Sequence, residues 1–94
     1  MRKIKQTAQF KRDYKWELKG TFSKKLEKML LEALEALVMD QPLAIKHRDH
    51  RLHGDYIDCR DCHLAPDLVL IYQKIDNHML ILVRLGSHSE LFGK

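Results

Sequence analysis

Two apolar runs of five residues, 68–72 and 79–83, flank Asp76 and Asn77. This pattern constrains the fold more than any other feature of the chain. Each run falls far short of the roughly 20 apolar residues that span a bilayer. Each reads instead as a β-strand, and the Asp-Asn pair supplies hairpin-turn chemistry between them. The first strand, 68–73, is apolar on both faces, which suits the centre of a sheet. The second, 79–85, returns beside it. Gly86 and Ser87 break that strand, His88 ends it, and 89–92 leaves room for one terminal helical turn.

The remaining elements are arranged around this hairpin. Ala65, Pro66 and Asp67 form a turn, and 55–63 alternates well enough to be a strand. The polar stretch 43–53 reads as a loop or ragged edge. Near the start, 2–6 alternates as a short strand and Thr7 can cap a helix. Phe10, Tyr14 and Leu18 recur every four residues, placing an apolar stripe on a helix that stops at Gly20. Ser23 is the expected cap of a longer helix, whose buried face carries Leu26, Met29, Leu30, Ala33, Leu34 and Leu37 and which ends near Asp40, before Pro42. The predicted order is β-α-α-β-β-β with a helical stub. It is an α+β fold with two helices on one face of a largely antiparallel sheet, formed as a single domain over 1–94.

Charge is distributed unevenly. Residues 1–28 hold ten Lys/Arg against Asp13, Glu17 and Glu27, a balance of 10 − 3 = +7, while the rest hold seven basic and ten acidic groups, a balance of −3. All six histidines lie in that second part. A basic patch points to an acidic partner, and Lys11, Arg12, Lys15 and Lys19 fall on one side of the first helix. The N-terminus is charged throughout and lacks the apolar segment of a secretory signal, so a cytoplasmic protein with no membrane association is expected. Two cysteines in such a protein are expected as free thiols.

Cys59-Arg60-Asp61-Cys62-His63 spells C-x-x-C-H, the attachment pattern of c-type haem. Haem attachment belongs outside the cytosol, and a zinc site completed by His47, His50 or His53 is the other option. On a regular strand, residues an odd number apart face opposite sides, so Cys59 and Cys62 would not converge. No metal is therefore expected, and half-buried thiols are. The histidines form the stronger constellation. Several imidazoles together favour acid–base work near neutral pH, and Lys46, Arg48, Arg60 and Arg84 lie close to them in sequence. Cleaving RNA through its own 2′-OH needs a base, a cation for the charged phosphorus centre and an acid for the leaving oxygen. A non-catalytic RNA-binding module has a similar composition.

Four blocks favour the first. Asp49-His50-x-Leu52-x-Gly54, Arg60-Asp61-x-His63-x-x-Pro66-Asp67, Leu70-Ile71-Tyr72 and Arg84-x-Gly86-x-His88-x-x-Leu91-Phe92 resemble, in order and spacing, the YafQ branch of the RelE superfamily. These bacterial toxins are the ribosome-dependent mRNA interferases of type II toxin–antitoxin pairs. The resemblance implies the RelE-like microbial ribonuclease fold and cleavage of mRNA in the ribosomal A site, with no cofactor. It implies catalytic roles for His50, His63, Asp67 and His88. Here His88 is the expected acid, His50 the expected base, and His63 and Asp67 orienting or charge-stabilising groups. It further implies phosphate or base contacts by Arg84 and Phe92, and the residues' own charge beside the histidines adds Lys46, Arg48 and Arg60 as expected RNA-binding groups. Asp61 shares the strand parity of His63 and is expected to support it. Lys11, Arg12, Lys15 and Lys19 are expected to dock on ribosomal RNA. The implied partner is a DinJ-like ribbon-helix-helix antitoxin, through which alone the toxin would meet operator DNA. Where the family commonly carries an aromatic after the motif's Asp, this chain has Leu68. The alternative is a non-catalytic RNA- or antitoxin-binding module of the same fold.

Overall fold

The computed structural model of the protein describes residues 1–93. Along the chain run β1 (Lys3–Gln6), α1 (Ala8–Glu17), α2 (Leu26–Val38), β2 (His50–Arg51), β3 (Arg60–Ala65), β4 (Leu68–Ile75), β5 (Met79–Gly86) and α3 (His88–Phe92). The strands form one sheet in the order β1-β5-β4-β3-β2. All pairs are antiparallel except β1 with β5, which is parallel. The fold is α+β, as the hydrophobic pattern implies, with β4 at the centre. Among the described residues, no helix is long and apolar enough to cross a membrane.

The apolar residues of β4 divide between its two faces. Leu68, Leu70 and Tyr72 join Phe10 of α1 and Leu26, Leu30, Ala33, Leu34 and Leu37 of α2 in the main core. Val69 and Ile71 face the other way, into a smaller cluster with Leu52, Cys59 and Leu91. Burying each such leucine contributes about 1.5–3 kcal/mol. The two-sided core explains why β4 shows no polar alternation, and it leaves the second face only partly covered.

Several ends differ from the sequence expectation. Thr7 caps α1 as expected, its hydroxyl accepting from the Phe10 amide at 2.9 Å. The helix nevertheless stops at Glu17, and Leu18 lies 44% exposed beyond the stripe. Ser23 caps nothing. The 21–25 segment is a series of turns, and α2 begins only at Leu26, whose full burial sets the start in place of a side-chain cap. The strand expected over 55–63 begins at Arg60, because Gly54 adopts a left-handed φ of 69° and opens a 3-10 turn, Gly54–Tyr56. Within 43–53 lie a second 3-10 turn, Ile45–His47, and the edge strand β2. His88 does not end β5. It opens α3, started by a capping box in which Ser87 and Glu90 bond each other's backbone amides at 3.1 and 2.9 Å.

Arg2, counted with the basic N-terminal region, is buried. Its guanidinium donates to Asp40 at 2.7 Å and to the carbonyls of Asp76 and Met79 at 3.0 Å each, tying the N-terminus to the hairpin.

Candidate active site

Strand β3 divides its side chains by parity. Cys62 and Leu64 enter the main core, while Asp61 stands opposite Ile71 and His63 opposite Val69, on the second face. Ile71 in turn pairs with Arg84 of β5. Asp61, Ile71 and Arg84 therefore form one row across three strands. At about 4.8 Å per strand, Arg84 stands roughly 10 Å from Asp61 along the row. A bulge between Ile71 and Tyr72 adds a residue to β5 just before Arg84, the kind of irregularity that re-aims a side chain.

His50 comes from β2, where it is the register partner of Asp61. Its Nδ1 lies 2.7 Å from the Arg48 carbonyl and 2.9 Å from Asp61 Oδ1. Both neighbours offer acceptor oxygens, so the geometry assigns the Nδ1–H tautomer and leaves Nε2 as the other ring nitrogen of an exposed side chain. The N–H is aligned with the carbonyl, and Asp61 Oδ1 is left buried without an aligned donor. Asp61 is only 1% exposed. Burial pushes its carboxyl above the ordinary carboxylate range, against the opposing pull of His50, His63 and His88, which lie near enough to act on it. The expected supporting residue thus pairs with His50 and lies within electrostatic reach of His63 and His88. A buried acceptor left unpaired is costly, and its position beside the exposed His50 marks a candidate functional group.

His88 sits exposed on the first turn of α3, its ring 4.7 Å from that of Phe92, one helical turn on. Phe92 meets Tyr56 edge-on at 6.2 Å. Arg84 donates through Nε and Nη2 to Asp13 of α1 at 2.8 and 3.2 Å. Sequence reading missed Asp13 as a site residue, since 71 positions separate the pair and one Asp on a helix stands out from nothing.

Other expected site residues are placed apart from this cluster. Asp67 is exposed in the β3–β4 turn, toward Glu17 of α1. Arg60 has the opposite parity to Asp61. It is paired with Asp49, at 3.2 and 3.1 Å, and Asp49 also accepts from the buried Tyr72 hydroxyl. Together these tether the start of β2. Lys46 pairs with Glu32 at 3.0 Å. Lys46 and Arg48 line a groove of about 380 Å³ with His63, Ala65 and Pro66. Beside them His47 turns inward and bonds the His63 carbonyl through Nδ1 at 2.7 Å, which fixes the backbone under His63. Lys11, Arg12 and Lys15 are exposed on α1, while Lys19, expected on the same helix, is exposed in the turn beyond its end at Glu17, and Arg12 also bonds Gln9 at 2.8 Å. Leu68 is fully buried and unavailable for stacking.

The cysteines take opposite sides, Cys59 in the smaller cluster and Cys62 in the main core. They do not converge on one ion. Burial raises the Cys59 thiol and pushes Cys62 up to about 12, so neither is poised as a nucleophile.

A five-stranded α+β sheet with imidazoles, a guanidinium and an aromatic at one end of its central strands defines the RelE-like class of small toxins. The family model described as "Bacterial toxin of type II toxin-antitoxin system, YafQ" matches residues 2–93, and the chain belongs to that family. It is 35% identical over 94 residues to the mRNA interferase toxin YafQ of Escherichia coli K12, covering 98% of this chain and 97% of the relative. The crystal structure of YafQ from E. coli BL21(DE3) superposes with a TM-score of 0.85 at 32% identity, covering 99% of this chain and all of that one. YafQ in the E. coli DinJ–YafQ complex gives 0.84 at 33% identity, with the same coverage.

Proposed function

We propose that the chain is the toxin of a type II toxin–antitoxin pair, an endoribonuclease that cleaves mRNA in the ribosomal A site without a metal. The observation that carries this reading is the gathering of His50, His63 and His88 about the buried Asp61, in a member of the YafQ family. Nε2 of His50 takes the proton of the RNA 2′-hydroxyl, and the 2′-oxygen attacks the adjacent phosphorus. Arg84 holds the non-bridging oxygens through its unengaged N–H groups. His88 then gives a proton to the departing 5′-oxygen. The products are a 2′,3′-cyclic phosphate and a 5′-hydroxyl.

Asp61 and His63 stabilise the imidazolium that forms on His50, and Asp67 orients the substrate strand. The proton-accepting role can pass between His50 and His63. Phe92 stacks on an unpaired base. Lys46 and Arg48 follow the RNA backbone, while Arg60 acts through its hold on Asp49. The basic face of α1 docks on ribosomal RNA, an electrostatic contact that weakens steeply with salt. The protein works in the cytoplasm as one folding unit. Its partner is a DinJ-like ribbon-helix-helix antitoxin, like that in the solved E. coli complex, and only this antitoxin brings it to operator DNA.

Expression without the antitoxin tests the reading. Growth should stop, and new mRNA 5′ ends should fall within translated frames. Growth arrest with intact mRNA would favour the non-catalytic module instead.

A further inference from the structure

The Asp13–Arg84 pair adds a residue to the site that the sequence motifs do not contain. β1 accompanies β5 only as far as Leu82. Beyond it the edge of β5 is covered from α1: Thr7 takes the Val83 carbonyl at 2.8 Å, and Asp13 takes the Leu85 amide at 3.0 Å. The Asp13 carboxylate is therefore fixed by backbone as well as side chain. Oδ2 accepts from Leu85 and from Nε of Arg84, while Oδ1 accepts from Nη2 of Arg84 and from Gln9 at 3.0 Å. Its side chain is 10% exposed and that of Arg84 25%.

The geometry points to Asp13 as the positioning residue that sets the orientation of the Arg84 guanidinium in RNA cleavage. This rests on Arg84 being the phosphate-holding group. A guanidinium has five N–H donors in a rigid plane, and a carboxylate gripping one edge fixes the direction of the others. Asp13 grips the Nε–Nη2 edge, so Nη1 and the second Nη2 proton are held ready for phosphate oxygens. Burial alone would raise the Asp13 carboxyl, yet its bonds to Arg84, Leu85 and Gln9 hold it below the ordinary range. It therefore stays charged wherever the enzyme works. Tyr56 also lies near enough to Arg84 to act on it.

The test uses the full chain, mRNA-programmed ribosomes and single-turnover cleavage. Asp13→Asn keeps the shape and the Leu85 bond but removes the charge. It should slow the cleavage step about 10- to 100-fold, the scale of a misplaced catalytic group, with ribosome affinity changed less than threefold. In an Arg84→Ala background it should have no further effect on rate, because Asp13 acts through Arg84. A purely structural role would instead lower Tm and slow both backgrounds by the same factor. A normal rate for Asp13→Asn beside a slow Arg84→Ala would overturn the inference alone. A normal rate for Arg84→Ala would overturn the phosphate-holding reading and the inference with it. Should Asp13→Asn not fold, the Nε–H resonance of Arg84 in the unsubstituted protein decides. Slow exchange with solvent is expected, and the fast exchange of a free arginine would contradict it.

Discussion

His50 Nδ1 and Asp61 Oδ1 stand 2.9 Å apart across the β2–β3 pair, and the burial of one governs the chemistry of the other. The imidazole is exposed and the carboxylate is not. With its Nδ1 proton directed at the Arg48 carbonyl, His50 leaves a buried acceptor waiting beside it. When Nε2 gains a proton, the new imidazolium charge is next to that acceptor. Under the proposed mechanism, charge that costs stability at rest stabilises the transition state.

The first prediction concerns stability. Because the folded pKa of Asp61 lies above its unfolded value, the folded state binds the proton more strongly. Asp61 therefore costs stability at neutral pH, and the cost is relieved as pH falls through the raised value toward the ordinary 3.8. Asp61→Asn should raise Tm at pH 7 by about 5 °C, corresponding to about 1 kcal/mol, while reducing cleavage at least 10-fold. The gain should shrink as pH falls through the raised value toward 3.8. Thermal melts from pH 4 to 8 check both signs.

The second concerns His88. With His88 as the proposed donor to the leaving oxygen, His88→Ala should lower the single-turnover rate by about 10²- to 10⁴-fold. Ribosome binding and Tm should hardly change, since the side chain is exposed at the start of α3. Rate, affinity and melting point measured together separate this from a folding defect.

Much of this arrangement was legible in the sequence, and the parts that were not share a physical cause. The β4–β5 hairpin and the buried face of α2 follow from local periodicity and the Asp76-Asn77 turn. Thr7 and the capping role of Ser87 are local as well, although the second appears only once His88 is seen to open a helix. Non-local contacts are what periodicity misses. The two-residue strand β2 exists because β3 offers it an edge. Asp61 becomes central because His50 lies opposite it, and Arg60 is drawn away by Asp49 and Tyr72. Ser23 fails as a cap because the packing of Leu26, rather than a hydroxyl, sets where α2 begins.

A third prediction tests the two-sided core. Leu70 is fully buried on the helix-facing side of β4. Leu70→Ala should cost about 2–5 kcal/mol, enough to leave a chain of this size marginally folded. Urea denaturation of this variant against the parent measures it.

The cysteines supply a fourth. With burial raising both thiols and the two on opposite faces, neither should react quickly with a thiol reagent in the folded protein at pH 7. Both should react in denaturant, and no Cys59–Cys62 disulfide should form under mild oxidation. Mass spectrometry of the alkylated protein reads all three outcomes.

The basic face of α1 supplies the fifth. Replacing Lys11, Lys15 and Lys19 together with Ala should weaken ribosome binding and flatten its dependence on salt. The slope should fall by up to about 0.9 for each phosphate no longer neutralised, or by less on unpaired RNA. Binding isotherms at several salt concentrations give the slope.

In the proposed reaction the RNA's own 2′-oxygen, activated by the histidines, breaks the strand. One substitution in the substrate tests it directly: a 2′-deoxy nucleotide at the cleaved position of an mRNA held in the ribosomal A site. Cleavage should vanish at that position, while the all-ribose mRNA yields a 2′,3′-cyclic phosphate and a 5′-hydroxyl. Cleavage of the 2′-deoxy mRNA at an undiminished rate would contradict the account.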